Sequence, residues 1–317
     1  MAELPPSYKE LLKELNFQPM RTAVRQSIAV VDEARRGERN ILPSKFRRMN
    51  RNLLGGFQPG KLYVVAGRPG VGKSAFSNQL IFDILDVAKL EGRDVVCFYW
   101  SFEMPGFQQI LRSASKDTGK QLAELYSIDR TLSQAEFNMF EKAVIKFAKY
   151  PVFFQNYARD VEFMEEACTK FMHSRPKTLI INLIDHTRLV PAKETEKEMI
   201  ALNRLSKGCM RMQSRMGCIN ILLSQLNRNI EKEERRDKQF QPMLSDLFGG
   251  DSIGQDAHAV MMLQRPHDLY GITKPYCGHN PIGLMAVHFE KNRDGMLGMI
   301  PFEFDGSTFT IKERKKT

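Results

Sequence analysis

The chain is poor in the residues that usually announce metal or redox chemistry. In 317 residues it has one tryptophan, six histidines and five cysteines. Cys97, Cys168, Cys209, Cys218 and Cys277 are odd in number and none forms a C-x-x-C pair. That argues against a disulfide frame or a zinc site and fits reduced thiols in a cytoplasm. Cys277-Gly278-His279 is too short a cluster to bind a metal alone. No apolar run approaches the length of a membrane span. The charged, amphipathic start MAELPPSYKELLKEL is unlike a secretory signal. Internal repeats and low-complexity segments are also missing. What remains is 42% apolar composition, enough for one large domain with a small appendage. The charge is lopsided: 47 Lys and Arg stand against 37 Asp and Glu, a net +10. Such a balance favours polyanionic partners, nucleic acid first, although a merely basic protein has the same sign.

Apolar periodicity predicts helices over 7–16 and about 20–36, the second stopped by Gly37 and Pro43. From Lys61 strands and helices alternate. Strands are expected at KLYVVAG, DVVCFYW (94–100), PVFFQ, TLIINLI (178–184) and CINILLS (218–224), and helices at about 73–90, 104–149, 160–173 and 195–215. Alternation of this kind implies β-α-β units and a mostly parallel sheet. The stretch NIEKEERRDKQFQP after Arg228 reads as an exposed, mobile loop. AVMMLQR, GLMAVHFE, GMIPFEF and TFTIK then read as short antiparallel strands. The expected organisation is a helical arm over 1–40, a large α/β domain over 41–312 and a frayed basic tail over 313–317.

Gly67-Arg68-Pro69-Gly70-Val71-Gly72-Lys73-Ser74 fits G-x-x-x-x-G-K-[ST] at every position, between a predicted strand and a predicted helix that continues through Ala75. In this context backbone N–H groups wrap phosphates and the helix N-terminus adds positive potential. Lys73 would reach the β- and γ-phosphates and Ser74 would hold Mg²⁺. The expected ligand is therefore a nucleoside triphosphate. Hydrolysis needs more. Asp185 ends a buried strand, where open α/β sheets gather ligands, and is the candidate metal-side carboxylate. Glu103 follows a second strand end and could orient or deprotonate water; it could equally be a helix N-terminal acid. Gln225, at a third strand end, is a candidate γ-phosphate sensor or a plain polar cap. Near the C-terminus, HFEKNRDGMLG puts Lys291 and Arg293 two residues apart on the rim of a turn. Alone, that is solvated charge at a hairpin end.

In this order the pieces resemble the RecA-like motor domain of DnaB-type replicative helicases, from about Glu33 to Phe309. The resemblance rests on LLGGFQPGKLYVVAGRPGVGKSAF, WSFEMP (the family usually reads S-L-E-M), LIDHTRLV, LLSQLNRNIE, PMLSDLFGGDSIGQDAHAVMMLQR and EKNRDGMLG. It implies a RecA-like P-loop NTPase fold and an ATP- and Mg²⁺-dependent DNA helicase that moves on single-stranded DNA as a hexameric ring. It implies Glu103 as base, Asp185 as metal-side acid and Gln225 as sensor. Arg293 becomes an arginine finger and Lys291 a second cation, both reaching the neighbouring subunit's γ-phosphate. A loader protein is a further implied partner, and no membrane is involved.

Three departures qualify the resemblance. Only about 40 residues precede the motor, where full-length relatives carry a primase-binding collar; coupling to primase is thereby in doubt, and a plasmid, phage or accessory protein is expected. The DNA-facing loop, usually S-D-L-R-E-S-G-S-I-E-Q-D, has Phe248 and Gly249 in place of Arg and Glu. Phe248 could stack on a base, and Gly249 and Gly250 could offer N–H groups to phosphates; alternatively Phe248 is buried and the grip is lost. His186-Thr187-Arg188 stands where the family favours tyrosine and leucine. A nucleotide-driven switch or assembly ATPase without unwinding is the alternative reading, and a recombinase-like filament a third.

Overall fold

The computed structural model describes residues 6–15, 17–126, 131–191 and 197–315. The ends of the expected arm and tail, and the expected helix start near 195, lie outside these residues. The chain divides into two compact units, Met1–Ile41 and Leu42–Thr317. The first contains helices α1 (Pro6–Glu14) and α2 (Met20–Arg36). No residue of α2 is buried, and Met20, Val24, Ile28 and Val31 form an exposed apolar stripe at helical spacing.

In the second unit the order is α3 (Arg47–Asn52), β1 (Leu62–Gly67), α4 (Lys73–Leu90), β2 (Val95–Ser101), α5 (Gly106–Thr118), α6 (Leu122–Leu125), α7 (Gln134–Ile145), β3 (Val152–Gln155), α8 (Val161–Ser174), β4 (Leu179–Asp185), α9 (Glu198–Met216), β5 (Ile219–Gln225), α10 (Gly250–Asp256), β6 (Ala259–Gln264), α11 (Pro266–Tyr270), β7 (Leu284–Asn292), β8 (Gly298–Asp305) and β9 (Thr310–Glu313). These strands form one sheet in the order β3-β2-β4-β5-β1-β6-β7-β8-β9. Strands β1 to β6 pair in parallel, and β7, β8 and β9 add on antiparallel. The expected fold class holds: a mostly parallel, helix-flanked sheet with an antiparallel C-terminal end.

Every residue of β1 is buried, because alternate side chains meet different helix layers. Tyr63 and Val65 join Phe76, Leu80 and Ile84 of α4 on one face; Leu62, Val64 and Ala66 join Cys168, Leu205, Cys209 and Met212 of α8 and α9 on the other. Buried polar groups lock β2, β4 and β5 together. Trp100 Nε1 donates to Asn182 Oδ1 (3.1 Å), Asn182 Nδ2 to Asn220 Oδ1 (2.9 Å) and Asn220 Nδ2 to the Cys209 carbonyl (2.9 Å). No described helix is long and apolar enough to cross a membrane.

Two expectations need correction. The polar stretch after Arg228 is anchored rather than loose: Ile230 and Phe240 are buried, and Arg235 makes a two-pronged bond to Asp246 at 3.1 and 3.0 Å. Its charged composition hid two apolar pegs and one buried ion pair. Removing one partner of a buried pair strands the other charge, so Arg235→Ala is expected to cost roughly 3–5 kcal/mol in chemical denaturation; a loss below about 1 kcal/mol would show that the pair is not structural. The tail is also partly ordered. Glu313 ends β9 and its Oε1 accepts from the Arg48 and Met49 N–H groups (2.9 and 3.3 Å), satisfying donors at the start of α3.

Candidate nucleotide and nucleic-acid sites

The loop from Gly67 to Gly72 leaves β1 at the carboxyl edge of the sheet and enters α4 at Lys73. Pro69 and Gly70 are exposed at its tip, whereas the Val71 and Ala75 side chains are buried, so those two can offer only backbone to a ligand. The Lys73 ammonium donates to the loop's own carbonyls, Gly67 at 2.9 Å and Arg68 at 3.3 Å. Burial lowers its pKa, while Asp185 and Glu103 pull it back up. Arg68 turns away from the loop mouth: Nε is 2.6 Å from Glu231 Oε1 and Nη1 donates to the Leu226 carbonyl at 2.9 Å.

Strand order brings the three carboxamide and carboxylate candidates together. Ser101 of β2 is in register with Asp185 of β4, and Gly67 of β1 is in register with Gln225 of β5. Glu103, Asp185 and Gln225 therefore leave three adjacent strands, with Gln225 beside the first residue of the phosphate loop. The Phe102 N–H donates to the Asp185 carbonyl at 2.8 Å, closing the edge. Asp185 is 1% exposed and neither carboxylate oxygen has a hydrogen-bond partner. Burial pushes its pKa up to about 6; the Ser74 hydroxyl, near but not bonded to it, lowers it in part. An orphaned buried carboxylate beside a hydroxyl is costly without a cation, and the pair has the all-oxygen chemistry that a magnesium ion prefers. Among the described residues no group of three or more His, Cys, Asp or Glu could hold a metal alone. Glu103, by contrast, has a half-exposed side chain.

The Lys291–Arg293 turn lies at the other end of the same sheet. Asn292 of β7 is in register with Ala259, the first residue of β6, while Gly67 is in register with Leu263 near its end. Four residues of β6, about 13 Å of strand, separate these two registers. Both cations rest on the last carbonyls of α10. Lys291 Nζ donates to Gly254 (2.8 Å) and Gln255 (2.6 Å), and Arg293 Nη2 to Gln255 (2.8 Å). Gly295 packs so closely that a Cβ there would stand 1.9 Å from the Asn52 carbonyl oxygen.

The end of β5 is zipped to the following loop. The Phe248 N–H donates to the Gln225 carbonyl (2.9 Å) and the Asn227 N–H to the Asp246 carbonyl (2.7 Å). Phe248 is half-buried with the Arg188 guanidinium 4.2 Å over its ring. Gly249 has φ +71° and is buried, and a Cβ there would meet Leu202 at 2.6 Å, so close packing explains the glycine. Gly250 opens α10.

A model of the DnaB-like helicase C terminal domain matches residues 42–313. The chain belongs to this family. Among curated relatives it is similar to the replicative DNA helicase DnaB of Mycoplasma pneumoniae, 29% identical over 92% of this chain and 61% of that protein. With that of Rickettsia conorii it shares 24% identity over 96% of this chain and 64% of that protein. The chain thus spans less than two thirds of these relatives. Among solved structures, an isolated ATPase domain superposes with TM-score 0.79, at 22% identity over 92% of this chain and 98% of that one. A DnaB-like replicative helicase, solved with its interactions with primase, gives TM-score 0.76 at 21% identity over 97% and 74%. In this DnaB-like chain two residues near the loop had no role assigned from the sequence. His186 stands between Glu103 and Gln225, because β4 lies between β2 and β5. Arg265 follows β6; its guanidinium lies 4.7 Å over the Phe304 ring, and Nη1 is 3.4 Å from the Gly70 carbonyl. A cation just past a strand end was the available signal for Arg265. His186 stood out only as a departure from the family pattern; its place between Glu103 and Gln225 follows from the strand order.

Proposed function

We propose that this chain is the motor of an ATP-driven, single-stranded-DNA translocase of the DnaB-like helicase type, acting as a ring, six-membered by resemblance, in DNA replication. The observation that carries the reading is the convergence of Glu103, Asp185 and Gln225 on adjacent strand ends around the phosphate loop, within a chain of this family. Backbone N–H groups of Gly67 to Ser74 would wrap the phosphates, and Lys73 would leave the loop carbonyls to pair with them. Ser74 and Asp185 would hold Mg²⁺, which supplies charge neutralisation at the phosphates. Glu103, reachable by solvent, would orient and deprotonate the attacking water. Arg265, stacked on Phe304 beside the loop tip, would offer a flat cation to the base or ribose. The bonds of Gln225 and Asn227 to Phe248 and Asp246 would give γ-phosphate occupancy a route to the nucleic-acid loop. The α2 stripe would pack on another copy, and a loader and a primase are partners only as far as the family goes.

The test is hydrolysis of ATP with and without single-stranded DNA across a salt series. Hydrolysis should rise with DNA, and DNA affinity should fall steeply as salt rises. Hydrolysis indifferent to DNA, with no unwinding of a forked duplex, would favour the switch reading. Phe248→Ala, which removes the shelf under Arg188, should weaken DNA binding while leaving nucleotide affinity unchanged.

A further inference from the structure

His186 has no part in the reading above, yet it stands between the proposed base and sensor. Its Nε2 lies 3.7 Å from Glu103 Oε2 and 3.4 Å from the Gln225 amide nitrogen. The residue is 7% exposed, and its Nδ1 is buried with no partner. A proton on Nδ1 would be a buried donor without an acceptor, a costly arrangement. The proton therefore belongs on Nε2, the nitrogen facing both neighbours. Glu103 can accept it directly. Gln225 can accept it once its amide turns to present Oε1. Neither contact is yet as short as a formed hydrogen bond, and one proton cannot fully serve both.

We propose that His186 is a positioning residue for triphosphate hydrolysis, sharing its Nε2–H between the Glu103 carboxylate and the Gln225 amide so that the base takes its orientation from the phosphate-sensing glutamine. The proposal rests on the ATPase reading. His186 removes no proton itself; Glu103 takes the proton of the attacking water. When Gln225 swings to a γ-phosphate it gives up the imidazole, whose N–H then fixes the carboxylate. With diphosphate bound, Gln225 returns and the carboxylate is released.

The experiment measures ATP turnover and nucleotide affinity of the whole chain for wild type, His186→Phe and His186→Gln, each also in a Gln225→Ala background. His186→Phe keeps a ring but has no donor; His186→Gln keeps a donor. His186→Phe should lower kcat between about tenfold and a hundredfold, as misplacement of a reacting group does, with KM changed less than about twofold. His186→Gln should recover most of the loss. In the Gln225→Ala background His186→Phe should cost at least as much, because the imidazole then has only the Glu103 carboxylate to serve. Unchanged kcat in His186→Phe, a loss that disappears in the Gln225→Ala background, or a rise in KM that accounts for the loss would each overturn the proposal. If circular dichroism shows His186→Phe unfolded, His186→Leu takes its place. Inactive wild type would instead bring down the ATPase reading, a separate outcome.

Discussion

Lys73→Ala and Arg293→Ala, each expected to be inactive alone, should regain hydrolysis when co-assembled. The reason is distance. The turn holding Arg293 sits at the opposite end of the sheet from the phosphate loop, as the register of β7 on β6 and of β6 on β1 requires. Within one chain the guanidinium cannot approach a phosphate bound at Lys73. If it serves any γ-phosphate, that phosphate belongs to another copy. Loss of an arginine finger costs about 10³–10⁵ in kcat, while nucleotide affinity should survive because the loop and Lys73 are untouched. In an equal mixture, sites built from an Arg293→Ala loop and a Lys73→Ala finger are complete; head-to-tail assembly makes them about a quarter of all sites. Recovery up to that fraction means sites fire independently. If the ring fires only as a unit, recovery is lost, but Arg293→Ala then depresses wild type more steeply than in proportion to its share. No recovery together with strictly proportional loss would sink the trans assignment. Arg293 and Lys291 now rest on the Gly254 and Gln255 carbonyls at the end of α10, so reaching across an interface requires leaving the helix that begins at Gly250.

The fold was legible because its strands are of the kind sequence periodicity reads best: short, mostly apolar and bounded by glycine or charge. LYVVAG and LIINLID are examples, and the phosphate loop between strand and helix needed no tertiary knowledge. What stayed hidden was what depends on strand order. Nothing in the chain places β4 between β2 and β5, so the meeting of His186 with Glu103 and Gln225 could not be foreseen. The same holds for the Arg188–Phe248 stack, where two departures from the family pattern, far apart in the chain, touch. The 229–242 stretch failed for another reason: average polarity concealed Ile230, Phe240 and Arg235, the buried pegs and the ion pair that hold it down.

Asp185→Asn should make the nucleotide-free protein more stable and its turnover much slower. Both effects come from one carboxylate whose two oxygens are buried without partners. Burial raises its pKa from 3.8 to about 6. Between these values the unfolded chain gives up this proton first, so the folded state binds more protons and stability falls as pH rises. Above about 6 the whole penalty is present, about 3 kcal/mol for a difference of this size. An amide at 185 never ionises. The variant should therefore gain up to that amount at neutral pH, less the cost of burying the amide, and its stability should be flatter between pH about 4 and 6. Magnesium-dependent turnover should fall by at least about 10²-fold, because removing a charge partner of a phosphate-bound metal forfeits several kcal/mol. Urea denaturation at several pH values, beside turnover at saturating magnesium, measures both. A less stable Asp185→Asn at neutral pH would mean that the carboxylate is held by the fold for its own sake. A more stable and slower protein is what a site strained in readiness for a cation requires, since the energy lost by burying an unpaired charge is returned only when the metal and its nucleotide arrive.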